Sequence, residues 1–240
     1  MAISEQVNGT RVLATSELDD AKRGEMGQYL TPAGVAAFMA RLYRTWPTHV
    51  RLLDAGAGVG SLTAAFVEHA VSRKARPEAI DVTLYEVDPT LLKHLNSTVR
   101  LLAARCRERD VDLKALVSDD DFIDAGTDLL QHDLFGVRQE PEFNRVIMNP
   151  PYRKIRSDSA TRRKLRSVGI ESTNLYTAFL AVAVGLLEPG GELVAITPRS
   201  FCNGPYFRPF REMFFGSMTL KRVHVFESRA KAFSDDDVLQ

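Results

Sequence analysis

Asn149-Pro150-Pro151-Tyr152 is the run of residues most suited to chemistry in this chain. The side-chain oxygen of Asn149 and the backbone carbonyl of Pro150 place two hydrogen-bond acceptors on one short stretch. A proline after Asn149 forces that residue into an extended conformation. Two successive prolines stiffen the loop, so little entropy is lost when a ligand docks. Tyr152 offers a ring on which a flat base can stack. This trio suits an amine whose lone pair is delocalised into a ring, as in adenine. Acceptors aimed at its two hydrogens pull the nitrogen toward tetrahedral geometry and free the lone pair. A rigid Pro-Pro turn with a buried tyrosine is the plainer alternative for the same four residues.

A second group could hold the other reactant. Asp54-Ala55-Gly56-Ala57-Gly58-Val59-Gly60 places a glycine turn directly after the apolar run Val50–Asp54. Glycines let the backbone turn sharply and let a ligand approach closely. The helix that follows points its free N–H groups at that ligand. Dinucleotide oxidoreductases use a similar turn with G-x-G-x-x-G spacing. Here the spacing is G-x-G-x-G and Asp54 precedes it, which suits a cationic or ammonium-bearing ligand better than a pyrophosphate. Glu86, in Tyr85-Glu86-Val87-Asp88, can accept hydrogen bonds from both hydroxyls of a ribose. A solvated acid at a strand end is the alternative. Asp121-Phe122 could bond an adenine amine and stack on its ring, or could be only part of an exposed acidic turn. With a methyl carried on a sulfonium in the glycine site, transfer to an amine held by Asn149 would be in line, with no covalent intermediate and no metal.

Both groups need elements to position them. Thr31-Pro32 is expected to open a helix, with Thr31 as its cap, Pro32 in the first turn, Val35, Phe38, Met39 and Leu42 as its buried stripe, and Trp46-Pro47 as its end. From there strands and helices alternate. Strands are expected at Val50–Asp54, Asp81–Glu86, Val111–Val117, Arg145–Met148, Glu192–Thr197 and Arg222–Phe226. Helices are expected at Ser61–Lys74, Pro89–Arg107, Asn174–Leu187 and Pro205–Phe215. This order implies an α/β Rossmann-like fold, a mostly parallel sheet with helices on both faces. Ligands of such sheets bind beyond the carboxyl ends of the strands, where Asp54 to Gly60, Glu86, Asp121 and Asn149 all fall. Residues 1–28 are polar and poorly periodic and read as an N-terminal extension, with the catalytic domain over 29–240.

Composition narrows the classes. The 240 residues are 45% hydrophobic and 26% charged, an ordinary globular balance for one domain. Lys and Arg (31) equal Asp and Glu (31), so a nucleic-acid partner must be met by a local patch. The one marked patch is 153–166, with seven basic residues and one acid. Arg153 and Lys154 at its start could contact phosphates beside an extruded base, or the whole patch could be a solvated loop. Cys106 and Cys202 stand apart, with no metal-ligand pair, which fits a reducing cytosol and a cytoplasmic protein. No apolar run is long enough to cross a membrane.

Taken in order, these motifs resemble the gamma-class adenine-N6 DNA methyltransferases of restriction–modification systems. Gly27-Gln28-Tyr29-Leu30-Thr31-Pro32 resembles the family's N-terminal motif. The glycine turn, Glu86, Asp121-Phe122 and Asn149–Tyr152 follow in the gamma-class order, and Asn174–Phe179 and Gly190–Phe201 resemble its later motifs. The resemblance implies a class I methyltransferase with S-adenosyl-L-methionine as cofactor and DNA as partner. A recognition domain or a restriction endonuclease of the same system would be a further partner. It implies that Tyr29, Thr31, Pro32, Asp54, Gly56, Gly58, Gly60, Glu86, Asp121 and Phe122 hold the cofactor. Asn149, Pro150, Pro151 and Tyr152 would hold a flipped adenine, with Phe233 packing against that base. In the family a seventh strand and a DNA-reading domain follow that aromatic, whereas this sequence ends at Gln240, so a truncated domain is expected. Related Asn-Pro-Pro-Tyr loops also serve methylation of a protein glutamine or of RNA, and a cofactor-binding or DNA-contacting module without turnover is a further alternative.

Overall fold

The computed structural model describes residues 3–18, 29–131 and 143–227. Five parallel strands form one sheet in the order β3-β2-β1-β4-β5. They are β1 (His49–Ala55), β2 (Ala79–Tyr85), β3 (Asp112–Ser118), β4 (Phe143–Met148) and β5 (Leu187–Ala195). The helices are α1 (Ile3–Glu17), α2 (Ala33–Ala40), α3 (Ser61–Val71), α4 (Pro89–Arg107), α5 (Phe122–Leu130), α6 (Ala160–Ser167), α7 (Leu175–Leu186) and α8 (Arg208–Ser217). None of the described helices is long and apolar enough to cross a membrane.

Strand alternation divides the core between the two faces of the sheet. Leu52, Ile80, Val82, Leu84 and Ile147 pack with α1 to α4 on one face. Leu53, Val146 and Met148 pack with α5 to α8 on the other. The inner strand β4 is buried along its whole length, as expected of a strand covered on both sides. The edge strand β3 is largely exposed and carries Lys114. After β3 the chain returns across the sheet to lay β4 beside β1. The β1/β4 boundary is therefore the switch point, where the loops leaving two strand ends diverge and a crevice opens.

Local chemistry sets several helix starts. Asp88 accepts from the N–H groups of Thr90 and Leu91, with Pro89 in the first turn of α4. Asp121 does the same for Ile123 and Asp124 at α5, and Ser159 caps α6 through the N–H of Arg162.

Several expectations change; helix α2, for one, ends at Ala40 and not at Trp46-Pro47. Residues 3–17 form a helix that packs on α2, α3 and α4 and buries Ile3, Val7 and Ala14. Arg11 lies in the same stripe and breaks the apolar period, which hid it in the sequence. Helix α2 begins at Ala33, which puts Pro32 in the cap position with no side chain to cap it, and the Thr31 hydroxyl accepts from Asn149 instead. Arg222–Phe226 is not a strand. Residues 218–226 lack regular structure, and Leu220, Val223 and Val225 are exposed. The alternation there is strand-like, but a strand exists only through a neighbour's hydrogen bonds, and among the described residues none lies alongside.

Candidate active site

The glycine turn leaves β1 at the sheet centre. Gly56, Gly58 and Gly60 have φ of +76°, +60° and +84°, a region that other residues enter at a cost. The N–H groups of Gly56 and Ala57 both donate to the Tyr85 carbonyl at 2.9 Å, and Gly58 N–H donates to Glu86 Oε2 at 2.8 Å. Glu86 Oε1 accepts from Asp88 N–H at 2.9 Å. One acid thus ties the turn to the end of β2, and each of its oxygens keeps a lone pair for a ligand hydroxyl.

Asp54 is fully buried at the end of β1. Its Oδ2 accepts from the Thr63 hydroxyl at 2.6 Å, while its Oδ1 has no hydrogen-bond partner. Burial, reinforced by the neighbouring Glu86 charge and opposed by the Thr63 bonds, raises its carboxyl to about 7. Burial also raises Glu86. An orphaned buried carboxylate oxygen calls for a donor or a cation, and a second acid nearby strengthens that demand.

The four residues after β4 come within reach of this turn. A side chain placed on Gly56 would meet the Asn149 carbonyl at 4.0 Å, Pro151 at 4.0 Å and Phe179 at 3.8 Å. The Asn149 amide nitrogen donates to the Tyr29 carbonyl at 2.7 Å and to the Thr31 hydroxyl at 3.1 Å. Its Oδ1 accepts from the Tyr152 hydroxyl at 2.7 Å, which also lies 3.1 Å from the Ile196 carbonyl beyond β5. The Tyr29 and Tyr152 rings stack with centroids 6.1 Å apart and planes at 20°. Tyr176 of α7 meets Tyr152 edge-on and bonds Ser200 through its hydroxyl.

The fold therefore brings together Tyr29, Thr31, Asp54, the three glycines, Glu86 and Asn149–Tyr152 at one end of β1 and β4. Asp121 caps α5 at the neighbouring strand end. Phe122 is buried between the rings of Tyr85 and Phe179. Arg153 and Lys154 are exposed beside the loop, and Pro32 directly precedes α2. Phe233 lies outside the described residues. Thr63 carries no motif of its own, Tyr176, Phe179 and Ile196 fall within the later motifs without being singled out as site residues, and the joining of Thr31 to Asn149 has no sequence signal across 118 residues.

Residues 80–233 match the Eco57I restriction-modification methylase family. The chain belongs to that family. Among curated relatives, this Eco57I-family chain is 42% identical to the type II methyltransferase M.PstI of Providencia stuartii, over 98% of its own length and 45% of that protein. It is 41% identical to M.BsuBI of Bacillus subtilis, over 99% of its length and 46% of that protein. The chain thus spans about half the length of these relatives. Among solved structures it resembles a modification subunit assigned to a type I restriction enzyme of Vibrio vulnificus, at 15% identity and TM-score 0.59, over 88% of this chain and 43% of that one. It also resembles a Listeria monocytogenes protein assigned to the class I S-adenosylmethionine-dependent methyltransferases, at 14% identity and TM-score 0.56, over 86% and 58%. At such identities the likeness speaks for the fold, a class I methyltransferase sheet.

The site suits the cofactor of that fold. S-adenosylmethionine carries a sulfonium, an ammonium and a ribose diol. The unpartnered Oδ1 of Asp54 offers an acceptor to a cationic group, and such a cation would oppose the rise that burial gives the Asp54 and Glu86 carboxyls. The left-handed glycines hold the turn where a Cβ would not fit, since one on Gly58 or Gly60 would lie 2.8 Å from Leu30 or 2.9 Å from Leu95.

Proposed function

We propose that this chain is the methyl-transferring part of a type II restriction–modification enzyme and that its product is N6-methyladenine in DNA. The observation that carries this reading is the setting of Asn149. Its amide hydrogens are taken up by Tyr29 and Thr31, so its Oδ1 faces Tyr152, next to the glycine turn.

Asp54, Glu86 and the turn Gly56–Gly60 hold the cofactor, with Asp121 and Phe122 at its adenine end and Tyr29 and Thr31 beside its methionine end. The bound cofactor supplies an electrophilic methyl on a positively charged sulfur. Asn149 Oδ1 and the Pro150 carbonyl accept the two hydrogens of the target amine and draw its lone pair out of the ring. Tyr152 stacks on the base and fixes the attack direction, which is where positioning contributes most of the rate. The surplus proton leaves to water, since neither carbonyl is basic enough to keep it.

Arg153 and Lys154 extend from the same loop and contact phosphates beside the extruded nucleotide, which positions the duplex without reading its sequence. Phe233 packs against the flipped base. Sequence reading belongs to the part of the protein that the relatives have beyond this match, and a restriction endonuclease of the same system is the partner in the cell.

The test offers labelled S-adenosylmethionine with separate pools of DNA, RNA and protein and identifies the product by mass spectrometry. N6-methyladenosine from the DNA pool supports the reading. Label confined to protein or RNA moves the function to glutamine or RNA methylation.

A further inference from the structure

We infer that Thr31, with the backbone carbonyl of Tyr29, is a positioning residue that sets which way the catalytic amide of Asn149 faces. The inference rests on the methyltransferase reading above and gives these residues a role beyond holding the cofactor.

An asparagine amide has two nearly equivalent orientations, related by a half-turn about its last bond. Only one presents oxygen to the target amine. The other presents NH2, whose hydrogens would oppose those of the substrate. The loop itself is stiff, but its two prolines do nothing to choose between the two.

The N-terminal segment makes the choice. The Tyr29 carbonyl can only accept, so the atom 2.7 Å from it must be the amide nitrogen. The second N–H finds the Thr31 hydroxyl at 3.1 Å. With both hydrogens engaged, Oδ1 is left on the opposite side, where the Tyr152 hydroxyl meets it at 2.7 Å. Thr31 is almost fully buried (4% exposed), so no solvent water stands ready to replace its oxygen. Leu30, between the two residues, lies over the glycine turn, 2.8 Å from where a side chain on Gly58 would be. Three consecutive residues thus span both halves of the site.

The test compares Thr31→Val, which keeps the shape and removes the acceptor, with Thr31→Ser, which restores it. The first readout is independent of activity. In nitrogen-15-labelled protein the Asn149 side-chain amide pair is assigned by its loss in Asn149→Asp. Thr31→Val should shift this pair and speed its exchange with solvent several-fold, and Thr31→Ser should return both toward the parent protein. The second readout is single-turnover methylation of DNA at saturating cofactor. It should fall roughly 5- to 20-fold in Thr31→Val, the effect of one lost hydrogen bond, and because cofactor is saturating this fall stands apart from any loss of affinity for S-adenosylhomocysteine. If Thr31→Val does not fold, Thr31→Ala takes its place.

An unmoved amide pair overturns the inference. So does weakened cofactor affinity with an unchanged single-turnover rate, which would leave Thr31 as a cofactor contact alone. If the parent protein transfers nothing to DNA, the proposed function fails, and the amide spectra still decide the orientation.

Discussion

The Tyr152 hydroxyl donates to the side-chain oxygen of Asn149 at 2.7 Å, so the catalytic acceptor is already engaged before any base arrives. An entering amine must displace this bond, and the hydroxyl retains the Ile196 carbonyl as an alternative acceptor at 3.1 Å. The two roles of Tyr152, stacking and guarding Oδ1, can be separated. Tyr152→Phe keeps the ring and should leave single-turnover methylation within about tenfold of the parent. Tyr152→Ala loses the stacking of one base, worth about 1–3 kcal/mol, and should weaken binding of DNA with an extruded target by about 5- to 150-fold. Equal losses in both variants, measured by stopped-flow binding and quench-flow transfer, would assign the effect to the hydroxyl and remove the stacking role.

Asn149→Ala should reduce methyl transfer by at least about 100-fold, the usual effect of removing one acceptor or donor aimed at developing charge. The cofactor site rests on Asp54, Glu86 and the glycine turn, so calorimetric affinity for S-adenosylhomocysteine should stay within about twofold. Surviving activity would mean that another group polarises the amine.

The raised carboxyl of Asp54 gives the unliganded protein a pH signature. Between pH ~4 and about 7 the folded chain holds a proton at Asp54 that the unfolded chain has lost. Raising the pH through that window therefore favours unfolding, by up to about 1.4 kcal/mol per pH unit, and Glu86 acts in the same direction. Thermal melts from pH 5 to 8 should show the parent losing stability relative to Asp54→Asn. A cationic cofactor favours the ionised form, so its affinity should rise with pH toward 7, by up to about tenfold per unit, and the variant should lose this slope. Parallel melting curves for the two proteins would show that Asp54 is ionised throughout.

Not every basic residue of 153–166 is equally available to phosphate. Arg162 and Arg166 both bond Glu171, at 2.9 and 2.6 Å, and Lys164 lies 3.2 Å from Asp124. Arg153 and Lys154 sit exposed directly after the catalytic loop. Neutralising either of these two should lower the salt slope of DNA binding by about one, whereas Arg166→Gln should change it less. Fluorescence anisotropy titrations at four salt concentrations check this, and equal slopes for all variants would remove the loop from the DNA contact.

Gly58 combines φ of +60° with Leu30 at 2.8 Å from any added Cβ. Gly58→Ala should cost at least about 1–2 kcal/mol in urea unfolding and push Leu30 off the turn, weakening cofactor affinity in step. Unchanged stability would mean that the turn can relax without the glycine.

Much of the site was legible from residue type and spacing. The glycine turn, Glu86 and Asn149–Tyr152 each follow an apolar run, and in an alternating α/β chain strand ends converge on one side of the sheet. The helix from Pro89 and the strand of Arg145–Met148 were equally plain, because helical periodicity and a run of buried residues are both local patterns. Helix α1 was not, since Arg11 interrupts its stripe. Arg222–Phe226 misled for the opposite reason, having the alternation of a strand without a neighbour to bond among the described residues.

Local order thus supplied the chemical inventory: a glycine turn, two acids after apolar runs, a stiff loop with paired acceptors and a stacking ring. Their contacts were decided only by the folded sheet. The crossover that lays β4 against β1 brings Asn149 beside Gly56 and under Tyr29 and Thr31. Hydrogen bonds across more than a hundred residues depend on where the backbone returns, and no local pattern carries that information. The orientation of the Asn149 amide, and the orphaned oxygen of Asp54, belong to the tertiary structure alone.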